Sequence, residues 1–263
     1  MDPEEKSRII LFRGWKDTGC YVWSPFVTKV ELRFRLASLP YRVEEGKLSE
    51  SPKGKIPHIA IAKPRTDGPT RLSDSSLIIS RLVDDGELPE INAALEPIEA
   101  AFDLALRATL EEKLYFYHTR ERWVENYYAM RDHILQALPY PVRVFVGLLI
   151  YRKTTATLHG QGTGRLSKEE MAQFRLEIWQ SFDALLGEAR KGQSDEQKPF
   201  WVMGKGDPTE ADCALFSFIT SVLICHAAPD SRKVVGSFHN LSEYVRRIHE
   251  VYFPDYASPF ENT

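Results

Sequence analysis

Apolar positions along the chain follow one pattern up to about residue 85 and another after it. Residues 8–12, Arg-Ile-Ile-Leu-Phe, form an apolar and β-branched run that suits a buried strand. Residues 14–23 read as a loop rich in glycine, aromatic and polar residues. Residues 25–37 then place Phe26, Val27, Val30, Phe34 and Ala37 close to helical spacing. Residues 40–43, 56–62 and 70–72 read as three further strands, the last two joined by a turn-rich segment at 63–69. Residues 74–83 predict a helix with Leu77, Ile78 and Leu82 on one side. The order is β–α–β followed by β–β–α, that of a thioredoxin-like domain.

From Ile91 onward the strand signals stop. Residues 93–121 carry Leu95, Ile98, Phe102, Leu106 and Leu110 at spacings of three and four, a helical stripe. Residues 124–138 predict a second helix. Residues 158–164 form a glycine-rich connection. Ser167 and Glu170 make a capping-box pattern that opens a helix over 167–189. Thr209 and Asp212 repeat that pattern before a strongly apolar helix running to Ala227, and residues 241–252 close the chain. We read residues 1–85 as one domain, 92–263 as an all-helical second, and 84–90 as the linker.

Composition narrows the possibilities modestly. A net charge of −3 argues against a dedicated nucleic-acid binder. Cys20, Cys213 and Cys225 are too far apart for a zinc pattern, and a reduced, cytoplasmic setting suits them. No metal spacing links His118, His133, His159 and His226. The N-terminal Met1-Asp2-Pro3-Glu4-Glu5-Lys6 lacks the apolar stretch of a signal peptide. The most apolar run, residues 139–151, contains Pro141 and Arg143 and is too short to span a bilayer. It reads as a buried helix or helix–turn, in preference to a membrane-docking segment.

Candidate chemistry lies at three points of the first domain. Ser24 precedes Pro25, so it occupies an N-cap position with proline at the first helical residue. A hydroxyl at a helix N-terminus suits a thiolate, because orphan N–H groups and the helix dipole favour negative charge. Ordinary capping explains the same serine, although Val27 cannot complete a reciprocal box. Lys55-Ile56-Pro57 places a proline at the start of a strand, which is common in itself. Asp74 and Ser75 start another helix and read equally as a cap. Cys20 has no evident activating base, and Cys213 and Cys225 fall in an apolar helix pattern. Tyr115, Tyr117, Trp123, Tyr127 and Tyr128 form an aromatic stretch that suits helix packing or the lining of an apolar pocket.

Taken in order, these motifs resemble the cytosolic glutathione transferases over nearly the whole chain. Residues 23–32, with Lys55-Ile56-Pro57 and Asp74-Ser75, look like the serine-using tau type. The segment 158–170, ending in Glu169 and Glu170, is closer to the failed-axon-connections and metaxin relatives. Gly14-Trp15-Lys16-Asp17 and Tyr21-Val22-Trp23 are similar to fungal members of that branch. The resemblance implies that the Ser24 hydroxyl donates to the sulfur of bound glutathione. A free thiol titrates near ~8.5, and lowering that by about two units needs roughly 2.7 kcal/mol. One charge-assisted hydrogen bond plus a helix dipole is of that order.

The resemblance further implies a cis Pro57 that presents the Ile56 backbone to the cysteinyl residue of glutathione. Lys55 would reach the glycyl carboxylate. Ser75 would hold the γ-glutamyl carboxylate, with Asp74 standing where relatives usually have glutamate. An apolar electrophile, for instance a fungal aromatic metabolite, would be the cosubstrate, undergoing sulfur attack, elimination or isomerisation, and many relatives are homodimers. The alternative implied by the metaxin-like features is a non-catalytic binding or targeting module.

Overall fold

The computed structural model describes residues 8–62, 68–193, 195 and 197–261. Met1 to Lys6 and most of the turn at 63–69 lie outside the described residues. The first unit consists of β1 (Ile9–Phe12), α1 (Pro25–Leu36), β2 (Arg42–Glu44), β3 (His58–Ile61), β4 (Thr70–Ser73) and α2 (Ser75–Asp84). Its sheet has the order β2-β1-β3-β4. β1 runs parallel to β2, with Leu11 opposite Val43, and antiparallel to β3, with Leu11 opposite Ile59. β4 closes the other edge, antiparallel to β3. This is the thioredoxin-like arrangement expected from the β–α–β–β–α pattern. Ile9, Leu11, Ile59 and Ile61 from the strands pack with Val30 and Phe34 of α1 and with Ile78, Ile79 and Leu82 of α2. Leu77 is half-exposed and takes no part, so Ile79 holds the α2 core position assigned to it.

The second unit is helical, and no strand follows β4 among the described residues. It begins with a single rod: α3 (Pro97–Ala108), a wide π-type turn (Thr109–Leu114), α4 (Tyr115–Arg120) and a second such turn (Glu121–Glu125). The sequence stripe misjudges the buried face at Ile98 and Phe102 and holds at Leu106 and Leu110, which reach the core. Ile98 is 85% exposed, and Asp103 is fully buried. The Asp103 carboxylate accepts from the Ala211 N–H at 2.8 Å, Asn92 Nδ2 at 2.9 Å and Arg107 Nε at 2.8 Å. A buried polar residue at the centre of the face hid it from an apolar count. Leu110 continues the stripe into the first wide turn, and Leu114 and Tyr117 follow it into the core.

α5 (Tyr127–Ile134) is shorter than expected, and α6 (Tyr140–Gln161) is longer, taking in the start of the glycine-rich segment. Gly162 ends α6 in the left-handed region, at φ 107°. The run at 139–151 is helical but not buried. Of all α6 only Gly147 and Leu158 are buried, so the expectation of a core helix there is overturned. α7 (Lys168–Lys191) starts with the expected box: Ser167 Oγ accepts from the Glu170 N–H at 3.1 Å, and Glu170 accepts from the Ser167 N–H at 2.7 Å.

α8 (Glu210–Ile224), α9 (Pro229–Gly236) and α10 (His239–Tyr252) complete the unit, and α9 has no counterpart in the sequence reading. α8 is the central element, buried on every side. Asp212 accepts from the N–H groups of Thr209 at 2.8 Å and Val202 at 2.7 Å, and from the Tyr244 hydroxyl at 2.8 Å. Burial nevertheless pushes its carboxyl up to about 6.

α1 lies between the two units and is buried on nearly all sides, including Lys29, Glu31 and Arg33. Each of these charges meets a partner from the second unit. Lys29 Nζ is 2.5 Å from Glu111, Arg33 Nε is 2.7 Å from Glu210, and Glu31 accepts from the Tyr256 hydroxyl at 2.6 Å. Arg13, on the loop after β1, is the second partner of Glu31. Removing one member of such a buried pair strands the other charge. Arg33→Ala is therefore expected to cost about 3–5 kcal/mol in denaturant unfolding, whereas Lys191→Ala, at an exposed helix end, stays within about 0.5 kcal/mol.

Candidate functional site

The turn from β4 into α2 is the most constrained backbone of the first unit. Asp74 sits at φ 80°, ψ 122°, a region a non-glycine residue rarely takes. Its Oδ1 accepts from the N–H groups of Ser76 at 3.2 Å and Leu77 at 3.3 Å, which caps α2 and offsets the backbone cost. Oδ2 and the Ser75 hydroxyl bond to no other described residue. Ser76 Oγ is held by Lys29 Nζ at 3.0 Å, so the buried Lys29–Glu111 pair also fixes the first turn of α2.

Across from this turn, the segment before β3 is pinned by one side chain. Ser51 Oγ donates to the Lys55 carbonyl at 2.8 Å and accepts from the Lys55 N–H at 3.2 Å. The Lys55 side chain is left exposed, and the Ile56–Pro57 peptide that follows is cis. Ile56 also supports the loop after β1. A Cβ on Gly14 would stand 3.1 Å from its side chain, and Gly14 has φ 68°, so glycine is required there on both counts.

Lys55, Ile56, Pro57, Asp74 and Ser75 together line one pocket of about 540 Å³. The opposite wall is the first wide turn and the start of α4, which contribute Glu111, Glu112, Tyr115 and Phe116, with Phe26 from α1. One cation and three carboxylates thus meet an aromatic wall. Of the aromatic stretch flagged in the sequence, Tyr115 alone lines the pocket. Tyr117 is core, Trp123 packs beside Trp23, and Tyr127 and Tyr128 pair edge-on at 5.3 Å. Phe26, Ser76, Glu111, Glu112 and Phe116 escaped the sequence reading.

Ser24 occupies the N-cap position of α1 with extended backbone, and its carbonyl accepts from the Val27 N–H at 3.3 Å. Its hydroxyl makes no capping bond, so the capping explanation of this serine does not hold for the side chain. Ser24 is not part of the pocket wall, which reaches α1 at Phe26. Its position is set from the second unit: the Trp23 carbonyl accepts from Ser221 Oγ at 2.6 Å and from Arg122 at 3.0 Å.

The Trp23 ring stacks on His133 at 3.5 Å, and Trp15 stacks on the other face of His133 at 4.3 Å. His226 meets this sandwich edge-on. Burial, then the neighbouring His226, lowers His133 to about 4. Cys20 lies in the same loop, and burial raises its thiol above the ordinary range, the opposite of activation. Cys213 and Cys225 are fully buried.

Residues 25–130 match the glutathione S-transferase N-terminal domain family. Solved structures of similar fold include glutathione transferase Omega 3C from Trametes versicolor, at 14% identity and a TM-score of 0.55 over 97% of this chain and 92% of that one. FzlA from C. crescentus gives 13% identity and a TM-score of 0.56 over 94% and 91%. Rice GST1 in complex with glutathione gives 15% and 0.52 over 97% and 92%. At such identities the likeness is one of fold: a thioredoxin-like unit followed by helices, as in glutathione transferases.

Two outcomes follow from this geometry. Because its hydroxyl is idle as a cap, Ser24→Ala is expected to change unfolding free energy by less than about 0.5 kcal/mol. The His133 imidazole, followed by NMR, is expected to stay neutral until the pH approaches about 4. Its folded value lies below the unfolded one, so its share of stability is complete above about 6.5 and is lost as the pH falls through about 4.

Proposed function

We propose that the chain is a glutathione transferase that holds glutathione in the pocket beside α2 and delivers its sulfur to an apolar electrophile. The observation that carries this reading is the convergence of Lys55, Ile56, Pro57, Asp74 and Ser75, distant in sequence, on one pocket. Each has a role there. Ser75, at the N-terminus of α2, takes the γ-glutamyl carboxylate through its amide and hydroxyl. Asp74, through Oδ2, takes the γ-glutamyl ammonium. The Ile56 backbone pairs with the cysteinyl residue as an added strand would, and Lys55 meets the glycyl carboxylate. The rice relative of similar fold was solved in complex with glutathione, which supports the same ligand here.

In this reading the cysteinyl sulfur extends past Phe26 to the start of α1. There the uncommitted Ser24 hydroxyl donates to it, and the helix dipole adds to the stabilisation of the thiolate. Rate enhancement comes from that stabilisation and from holding sulfur and electrophile together. Tyr115, Phe116 and Phe26 supply the apolar wall against which an aromatic electrophile rests. The division at residues 85–92 separates the glutathione-binding part, 1–85, from the helical part, 92–263. The Ser-Pro-Phe motif is tau-like, the glycine-rich segment favours the fungal failed-axon-connections and metaxin-like branch, and the charge and cysteine pattern suit a cytoplasmic protein, with homodimers as in many relatives.

One observation favours the second reading, a glutathione-binding module without turnover. Ser24 does not line the pocket, and the loop before it is tied to α5 by the Trp15–His133–Trp23 stack. Calorimetry and kinetics separate the two. Glutathione binding is expected, weakened about tenfold or more by Lys55→Ala or Asp74→Ala, each removing a charge-assisted contact. Ser24→Ala is expected to leave binding unchanged and to lower turnover of 1-chloro-2,4-dinitrobenzene about tenfold to a hundredfold. Binding with no turnover in the unaltered protein selects the module, and no binding at all overturns both readings.

A further inference from the structure

α6 presents to the outside what a core helix presents to its neighbours. Tyr140, Val142, Val144, Phe145, Leu148 and Leu149 are all exposed, Phe145 by 64%, and Ile134 extends the patch from the end of α5. The helix is not loosely attached. A Cβ on Gly147 would stand 2.7 Å from the Arg131 side chain and from the Tyr127 hydroxyl, so α5 and α6 meet in close contact there. Tyr127 and Tyr151 also pack edge-on at 5.3 Å. The outward side is therefore fixed in place, and it exposes six large apolar side chains of the kind that soluble chains normally cover.

Charge identifies what fits it. Residues 126–166 contain five Arg or Lys and one acid, Asp132, a net of +4 in a chain whose net charge is −3. Asp132 is already paired, with Arg131 at 2.8 Å and Arg143 at 3.7 Å. α6 itself carries no acidic residue. Arg152 and Lys153 follow Leu148 and Leu149 one helical turn later, exposed and without an ion pair among the described residues. We propose that the exposed face of α6 docks on an anionic phospholipid bilayer. The apolar half enters the headgroup–acyl boundary, with the Tyr140 and Tyr128 rings at its edge, and Arg152 and Lys153 meet the lipid phosphates.

The helix lies on the membrane; no single helix among the described residues is long and apolar enough to cross one. A second copy fits the face poorly. Parallel apposition would bring Arg152 and Lys153 against their own kind, and antiparallel apposition would bury them unpaired against Phe145 and Leu149. Docking of this kind is independent of glutathione.

The test is co-sedimentation of the full chain with vesicles of phosphatidylcholine, with and without phosphatidylserine. Binding is expected only with phosphatidylserine, and it should weaken as salt is raised. Phe145→Asp with Leu149→Asp, an exposed pair, should reduce it at least about tenfold, and Arg152→Glu with Lys153→Glu by a similar factor. Unchanged circular dichroism and melting temperature would show that the variants fold. A chain that stays in the supernatant with phosphatidylserine vesicles at low salt overturns the proposal, as does equal binding to vesicles lacking phosphatidylserine. A dimer in light scattering that Phe145→Asp dissociates also overturns it, because the face would then join two copies.

Discussion

The structure depends on a helix whose charges have been taken out of water. α1 carries Lys29, Glu31, Arg33 and Arg35 at every second position, which on a helix spreads charge over two opposite sides. Both faces are covered: Val30 and Phe34 pack on the sheet, and the first three charges are buried against the helical unit. Desolvating them is costly, and the pairs with Glu111, Glu210 and Tyr256 offset that cost only when both units are in place. The ion pairs thus act less as glue than as a fitting test, since a misaligned interface would leave charges stranded. The same pairs position the site. Lys29 reaches from Glu111, on the wall of the pocket, to Ser76, in the first turn of α2.

Most of the first unit was legible in the sequence because its signals are local. Strand runs, the proline after Ser24 and the acid–hydroxyl pair at 74–75 each act over a few residues. Lys55, Ile56, Pro57, Asp74 and Ser75, which line one pocket, stood out in the sequence only as a set, since each alone has an ordinary explanation. Tertiary effects hid the rest. Asp103 turned the buried face of α3 because it caps the start of α8, a partner more than a hundred residues away. The exposure of α6 was hidden because periodicity reports which residues are apolar and not whether anything covers them. The far wall of the pocket, Glu111, Glu112 and Phe116, lies on a rod whose wide turns leave no plain mark in the pattern.

Two parts of the site have different owners. The pocket residues Lys55, Ile56, Pro57, Asp74 and Ser75 belong to the thioredoxin-like unit and are held by Ser51, the Asp74 cap and the sheet register. Ser24 belongs to the same unit in sequence, but Trp23, immediately before it, is hung from Arg122 and Ser221. The pocket residues and the Ser24 hydroxyl are therefore positioned by separate contacts. Close packing of the Trp15–His133–Trp23 stack against the same loop makes α5 a third contributor to where that hydroxyl stands.

The wide turns at Thr109–Leu114 and Glu121–Glu125 give the rod an evolutionary freedom that a regular helix lacks. Losing one residue from a regular helix rotates everything beyond it by about 100° and ruins the packing. Here the loss of one residue can be absorbed by tightening a wide turn into an ordinary one, with the flanking segments kept in register. Conversely, a wide turn migrating along the rod by a single position would swap which side chains face the pocket while the core beneath stays whole. Descendants of this chain thus have a route to a new pocket wall that needs length changes and no remodelling of the scaffold.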